Sequence, residues 1–185
     1  MADYRTVGAH QINKWLWSKL KTYEYKPGTK AFADYKDSGN TAGYAITPIV
    51  PARQAPQITT ITKNQSPYII YNYLMNPYDS EWWICREQCA YVIYDGNEER
   101  LRGIHTYMVD LLRRMDWTAR DINNFLTAPT GKSDFDFKYV RLVAANGPDD
   151  FAAEGFEDPQ QGVMLVINYE YTVDMSTAEG NGMRV

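Results

Sequence analysis

The sequence predicts an α+β fold: a mostly antiparallel sheet of about four strands, with helices packed on one face and a long extended arm. The segment 67–115 carries the first two observations. Stretches 68–75 and 82–94 are rich in β-branched and aromatic residues, which is typical of paired strands. Apolar residues then recur every three or four positions, which is typical of a helix with one buried face. Two further strand-like stretches follow the helix, and this order indicates an α+β domain.

Length and composition are those of one domain. The chain has 185 residues, 44% of them hydrophobic, which is enough for one core. The net charge of −4 argues against a protein that grips nucleic acid through phosphates, because that needs clustered Lys and Arg. Tyrosine is over-represented, with 15 copies. These side chains either serve protein–protein interfaces or line the edges of a small sheet.

The cysteines and the N-terminus predict a soluble protein of cytosolic origin. Cys85 and Cys89 share one face of a predicted strand and lie about 13 Å apart at strand rise, which is too far for a disulfide. The first residues lack the apolar core of a signal peptide. No apolar run approaches the ~20 residues that span a bilayer, so no membrane is expected.

Within the single domain we distinguish four segments. Residues 1–23 contain an N-terminal helix, whose apolar stripe ends before Pro27-Gly28. Residues 24–66 have no lasting period and many Gly and Pro, which predicts the extended arm. The arm either docks on a partner or packs over the chain's own sheet. An α+β core, 67–173, and a loose C-terminal tail, 174–185, complete the chain.

The core is expected to contain two helices before its last strands. The main helix has its apolar stripe between Leu101 and Met115. A shorter helix is predicted over Trp117–Leu126, with Asp116 or Thr118 supplying the N-cap oxygen.

Two strands close the core. Residues 134–143 alternate imperfectly, because Arg141 falls on the same side as the apolar residues Phe135, Phe137, Tyr139 and Val143. The last strand, Gly162–Val173, alternates cleanly. The loop predicted between them carries an acidic cluster: Asp149, Asp150, Glu154, Glu157 and Asp158.

No motif of catalysis, metal binding or cofactor binding emerges. The chain lacks a glycine-rich phosphate loop, a His-Glu-x-x-His helix and a Cys-x-x-Cys pair. Asp79 and Glu81 bracket a loop, where carboxylates more often form turns than an acid–base pair. His105 lies on the apolar stripe of the main helix, where a hydrogen-bonded core or interface His is expected. We therefore predict a protein that is not an enzyme and that has no cofactor.

Arginines cluster along the predicted helices: Arg100, Arg102, Arg113, Arg114 and Arg120. They form either a solvated helix face or a surface that pairs with acidic groups of a neighbouring subunit.

Several short sequence segments, spread over most of the chain from Pro48 to about Val173, together resemble a known family in their residues and in their order. They are Pro48–Gln57, Pro67–Tyr71, Glu81–Trp83, Ala90–Asp95, Asp110–Asp116, Asp121–Asn123, Phe135–Tyr139 and the strand Val163–Tyr171. In this order they resemble the neck and tail terminator proteins of contractile-tailed bacteriophages.

The resemblance implies a structural virion protein of the tail and neck, assembled in the host cytoplasm. Copies would form a hexameric ring that caps the tail tube protein and meets the head-side connector, with the sheath protein as a further partner. DNA would pass through the ring without sequence-specific binding, weakly repelled by an acidic protein. The alternatives are a sheath terminator or a head-completion or neck adaptor of the same virion and, more distantly, a small-molecule enzyme on an α+β scaffold.

A closed ring needs two different adhesive flanks on each subunit. We expect them among residues of the arm, the first hairpin and the main helix: Tyr44, Ile49, Val50, Tyr68, Tyr71, Tyr73, Trp82, Trp83, Arg113 and Arg114. The aromatic members could instead fill the chain's own core.

Overall fold

The described residues form three helices and seven strands. The computed structural model describes residues 7–33, 48–52, 67–74, 84–151 and 160–174. The helices are α1, Val7–Leu20, α2, Glu98–Leu112, and α3, Asp116–Thr127. The strands are β1, Glu24–Lys26, β2, Thr29–Lys30, β3, Ile49–Pro51, β4, Tyr68–Leu74, β5, Ile84–Asp95, β6, Phe135–Phe151, and β7, Gln160–Val173.

The predicted α+β fold class is confirmed. Five strands form one sheet in the order β3-β4-β5-β7-β6, and neighbouring strands are antiparallel except for β3 and β4. The sheet has one strand more than expected, because Ile49–Pro51 joins its edge parallel to β4. The helices α2 and α3 connect β5 to β6.

The core lies between the helices and one face of the sheet. In β7, alternate side chains are buried from Val163 to Tyr171, as the sequence predicts. The apolar stripe of α1 is buried as well, and in α2 the stripe is buried from Leu101 to Leu112. The stripe does not continue to Met115, because α2 ends at Leu112 and the Met115 side chain is 49% exposed.

The described parts of the predicted arm belong to the chain's own fold. Pro27-Gly28 forms the turn between β1 and β2, with Gly28 at a φ of +75° that suits glycine. Phe32 is 3% exposed and packs edge-on against Trp17, with ring centroids 5.8 Å apart. At these positions the chain folds back onto its own helix and strands and does not project as an arm. Residues 34–47 and 53–66 lie outside the described residues.

The N-cap prediction for α3 is wrong. The capping position is Met115, which gives no side-chain cap, and Asp116 is the first residue of the helix. The Thr118 hydroxyl instead donates to the Leu111 carbonyl at 2.6 Å, so it joins the first turn of α3 to the last turn of α2.

Strand β6 is longer and less regular than the sequence suggests. It continues to Phe151 through the predicted loop. Its register against β7 shifts at Lys138, at Val143 and between Asn146 and Asp149, and each extra residue reverses the alternation. Val143 is therefore 50% exposed, contrary to expectation, and Arg141 points to solvent.

Candidate interaction surfaces

The connection between α2 and α3 is a short, exposed turn. The Arg113 N–H donates to the Val109 carbonyl and closes the last turn of α2. The Trp117 N–H donates to the Arg114 carbonyl at 3.1 Å, which closes a tight turn between the two helices. We call the exposed side chains of this connection and of the first turns of α3 the basic corner: Arg113, Arg114, Met115, Trp117 and Arg120.

Met115 adopts an unfavourable backbone conformation in the basic corner. Its φ of 49° and ψ of −107° lie where a side chain is rarely accommodated. Such a conformation costs on the order of 1–3 kcal/mol. A glycine at this position would remove that cost, and a buried methionine would contribute to packing. Residue 115 is neither glycine nor buried. Folding alone therefore does not account for Met at this position.

Trp117 is the most exposed of the large apolar side chains that the structure describes. It is 68% exposed. The guanidinium carbon of Arg120 lies 5.2 Å from its ring centroid, a cation–π contact that holds both side chains over the start of α3. Trp, Arg and Met are enriched in protein–protein interfaces, and Trp and Arg dominate their binding energy.

The arginines of the basic corner are weakly neutralised. Arg113 pairs with Asp110 at 2.7 Å, but both side chains are exposed, and such pairs contribute little. Among the described residues, no carboxylate forms an ion pair with Arg114 or Arg120. Asp116 is exposed in the same turn, and the charge of Arg114 acts on the nearby Asp121 carboxylate, so carboxylates accompany the arginines of the corner.

The other two arginines of the predicted cluster have intramolecular roles. Arg100 donates to the carboxylate of Asp95 at 2.5 and 2.7 Å, and Asp95 is 1% exposed. Asp95 also accepts the N–H of Asn97, which caps α2. This buried pair fixes the start of the helix, and removing one partner would be costly. Arg102 pairs with Glu98 one turn away on the exposed face.

Four of the residues predicted to contact a partner lie in β3 and β4, where they are buried or half-buried. Ile49 is 6% exposed and Tyr68 is 5% exposed, so both contribute to the chain's own packing. Tyr68 stacks on Tyr94 across the β4–β5 pair, with centroids 5.1 Å apart. Burial, and secondarily Tyr94, raises the pKa of Tyr68 to about 12. Val50 and Tyr71 are half-buried at the same edge.

The remaining proposed contact residues are distributed differently. Arg113 and Arg114 are exposed and adjacent in the basic corner. Tyr73 lies in β4, opposite Cys89 in register, and its side chain is outside the described residues. Tyr44, Trp82 and Trp83 also lie outside them.

A buried network of polar groups lies on the core face of β5 and β7. The hydroxyls of Tyr169 and Tyr171 donate to the Glu87 carboxylate at 2.7 and 3.1 Å. Burial raises the pKa of Glu87 despite these bonds. Burial, followed by the charge of Glu87, also raises the pKa of each tyrosine.

This network has the properties of a core element. Tyr169 and Tyr171 are fully buried, and Glu87 is half-buried, so the two tyrosines cover its carboxylate on the core side. Burial raises the pKa of the nearby Cys89 thiol to about 12, which disfavours the thiolate that a nucleophile requires. The network is therefore a hydrogen-bonded part of the core.

His105 differs from expectation in its hydrogen bonding. It is half-buried on α2, and its Nε2 atom is buried without a hydrogen-bond partner among the described residues. Burial lowers the pKa of His105, so the imidazole is neutral at pH 7.

The sequence interpretation missed Met115 and Trp117 as surface residues. Spacing alone placed Met115 on the buried stripe of the main helix. The charged neighbours Arg113, Arg114 and Asp116 were the available signal, since consecutive charges indicate that the chain has turned into solvent.

Metal binding, membrane spanning and similarity to known proteins do not assign a function to the described part of the chain. Within the described ranges, no group of His, Cys, Asp and Glu could hold a metal ion, and no described helix is long and apolar enough to cross a bilayer. Comparison of the chain with protein-family models, curated proteins and solved structures gave no match. Function must therefore be argued from the chain's own residues.

Proposed function

We propose that this chain is a structural virion protein of a contractile-tailed phage, whose copies form a ring that terminates the tail tube and joins it to the head-side connector. The observation that carries the proposal is the basic corner, where Met115 and Trp117 are exposed beside arginines. Its composition is that of a binding hot spot. The resemblance of short sequence segments to tail terminator proteins indicates the kind of assembly that the copies would form.

In this proposal the protein acts through its surfaces. It binds copies of itself and neighbouring virion proteins, converts no substrate and needs no cofactor. The network around Glu87 is compatible with this view, since the half-buried carboxyl is held by hydrogen bonds from two buried tyrosines. The net charge of −4 is compatible with a ring through which DNA slides without being gripped.

The first test is the state of the purified protein in solution. Light scattering over a wide concentration range and negative-stain electron microscopy should show closed rings of one size. A protein that remains monomeric at high concentration, and that turns over a metabolite, would favour the enzyme alternative.

The second test identifies the neighbour in the virion. Purified tail tube, sheath and connector proteins are each mixed with the ring, and binding and tube growth are followed. We expect binding at tube ends and arrest of polymerisation. Binding to sheath alone would indicate a sheath terminator, and binding to the connector alone would indicate a neck adaptor.

A further inference from the structure

We infer that the outer face of the five-stranded sheet, which is the face opposite the helices, is the docking surface for the chain's own residues 53–66. These residues connect β3 to β4 and lie outside the described residues. The inference goes beyond the proposed ring, because it concerns packing within one copy and shows which surface is closed to partners.

One half of the outer face is apolar. The side chains of β5 and β7 that alternate with the buried ones lie on this face, and the register places Val92 beside Met164. The apolar half is made of half-buried side chains from all five strands: Val50, Ile70, Ala90, Val92, Ala144, Met164 and Val166. A solvated face of an antiparallel sheet is usually polar, so this half has the composition of a covered surface.

The other half of the outer face is polar, and its groups pair with each other. Arg86 donates to Glu170 at 2.6 Å, and the Gln88 amide donates to Asn168 at 2.7 Å. Solvent suits this half, so the docking surface is limited to the apolar half.

Tyr68 shows that the outer face is covered at the start of β4. Its neighbour Ile69 is fully buried on the face that packs against the helices, so Tyr68 lies on the outer face, yet it is only 5% exposed. Tyr94 stacks on one side of its ring. An uncovered sheet would leave the other side of that ring in solvent. Further chain therefore lies over Tyr68, close to the point where residues 53–66 rejoin the sheet.

Two connections in this sheet are crossovers between parallel strands. β3 and β4 are parallel neighbours, so residues 53–66 must cross one face of the sheet to reach the start of β4. β5 and β6 are also parallel to each other, because both are antiparallel to β7, and α2 and α3 connect them on the helix face. Crossovers of this kind are right-handed in about 98% of cases.

A shared hand places these two crossovers on opposite faces. Both advance in the same direction along the strand order, from β3 to β4 and from β5 to β6. β3 and β5 run in opposite directions, since β4 is parallel to β3 and antiparallel to β5. Reversing the strand direction while keeping the direction of advance reverses the hand, unless the connection changes face. Because α2 and α3 occupy the helix face, residues 53–66 cross the outer face.

The helix face above β3 and β4 is already filled. Ile69 is fully buried there, and Ile49, its partner in register, is 6% exposed. Asn13 of α1 accepts the Tyr91 hydroxyl at 2.9 Å and also hydrogen-bonds with Tyr71 of β4. The packing of α1 therefore gives the same answer as the handedness rule.

The length and composition of residues 53–66 suit this path. Fourteen residues can span about 46–50 Å. A path that rises about 10 Å above the sheet, returns along β4 and descends again needs roughly 30 Å. Residues 58–62 are all Ile or Thr, and residues 54–62 contain no charge, as a dry contact with the apolar half requires.

Photochemical cross-linking in the full chain tests the contact. The photoreactive residue p-benzoylphenylalanine replaces Ile58 or Ile61, and mass spectrometry identifies the linked peptides. Light and heavy isotope-labelled copies are mixed, so that links within one copy are distinguished from links between copies. The matched control carries the same photoreactive residue at Arg102, which is exposed on α2. Circular dichroism verifies that each protein is folded.

We expect positions 58 and 61 to link to outer-face residues such as Ile70, Val92 and Met164 of the same copy. The control at position 102 should give no link to these residues, because α2 lies on the other face of the sheet.

Urea unfolding provides a second measurement. Ile58→Ser combined with Ile61→Ser should raise the unfolding equilibrium constant about 10–100-fold, because two apolar side chains lose a buried contact. The matched variant Gln54→Ser with Gln57→Ser changes polar residues of the same segment and should alter the constant less than about threefold.

Several results would overturn the inference. Links to α1 or to core-face residues such as Tyr71 would show that the segment crosses the helix face. Links found only between light and heavy copies would show that it docks on a neighbouring copy. A folded protein without links to the outer face, or one whose stability is unchanged by the two Ile→Ser changes, would show that another element covers this face.

These results are independent of the proposed ring. Links within one copy form whether or not copies associate, so a monomeric wild type would overturn the ring and leave this inference standing. Rings that form normally while the segment lies elsewhere would overturn only this inference.

Discussion

Replacing Trp117 with Ala should separate assembly from folding. A Trp side chain can bury roughly 150–250 Å². Because Trp117 is 68% exposed, about 100–170 Å² of that area is still in water. At about 25 cal/mol per Å², its burial in an interface would contribute about 3–4 kcal/mol, whereas the part already covered contributes about 1–2 kcal/mol to folding.

The assay measures the two free energies separately. Sedimentation or mass photometry gives the association constant, and urea unfolding at a concentration where the protein is dissociated gives the free energy of unfolding. For Trp117→Ala we expect association to weaken by about 100-fold and the free energy of unfolding to fall by only about 1 kcal/mol.

Trp15 provides the matched control. It is 1% exposed in α1, and its indole N–H donates to Asp121 at 3.0 Å. Trp15→Phe removes that bond and leaves a gap, so it should lower the free energy of unfolding by about 1–3 kcal/mol and leave association of the folded protein unchanged. If Trp117→Ala leaves association unchanged, or instead destabilises the fold as Trp15→Phe does, the assignment of Trp117 to an interface is wrong.

Three further changes test the local physics. Met115→Gly should raise the free energy of unfolding by about 1 kcal/mol in a urea titration, because removal of strain exceeds the added entropy of the unfolded chain; no gain would contradict the strain. Gly8→Ala should lower it by about 1–3 kcal/mol, since a Cβ at Gly8 would lie 2.3 Å from Cε1 of the buried Tyr171 ring; an unchanged or higher midpoint would show that α1 can shift. Glu87 binds its proton more tightly in the folded state, with a pKa raised above its ordinary 4.5, so its contribution to stability falls as pH rises through that window. The stability of Glu87→Gln relative to wild type should therefore increase from pH 4.5 upward, and a flat difference would contradict the raised pKa.

The elements that sequence predicts well are those in which one pattern fixes both structure and burial. In β7, strict alternation from Val163 to Tyr171 fits a strand with one face in the core. In α1, Trp15 and Leu16 belong to a stripe of helical period that faces the same core. Both cases depend only on the spacing of apolar residues, which local geometry converts directly into a face.

Burial of individual aromatic residues could not be predicted in the same way. Tyr68 and Phe32 are both nearly buried, although composition equally allowed partner contacts. The deciding interactions are non-local: Tyr68 stacks on Tyr94 of another strand, and Phe32 packs on Trp17 of α1. Spacing within a segment contains no information about such contacts, because they depend on which elements become neighbours.

The register shifts of β6 show a second limit. Alternation predicted Val143 to be buried, but the extra residue at Lys138 reverses the phase, so that Val140 is buried and Val143 is 50% exposed. The position of a bulge depends on pairing with β7 over the whole hairpin, so the local sequence of β6 does not predict it. Bulges with charged or exposed residues also hinder unwanted pairing at a sheet edge, and β6 is such an edge.

The wrong prediction that Met115 is buried has a different physical cause. Spacing placed it on the buried stripe of α2, and the structure exposes it with a positive φ. Local propensity, burial and backbone preference normally agree, and a site where they disagree is a place to look for function. Met115 contradicts both the burial rule and the backbone rule, and it lies between Arg114 and Trp117. A residue that is unfavourable for the isolated subunit is reasonable if the cost is offset when a neighbouring subunit covers the corner.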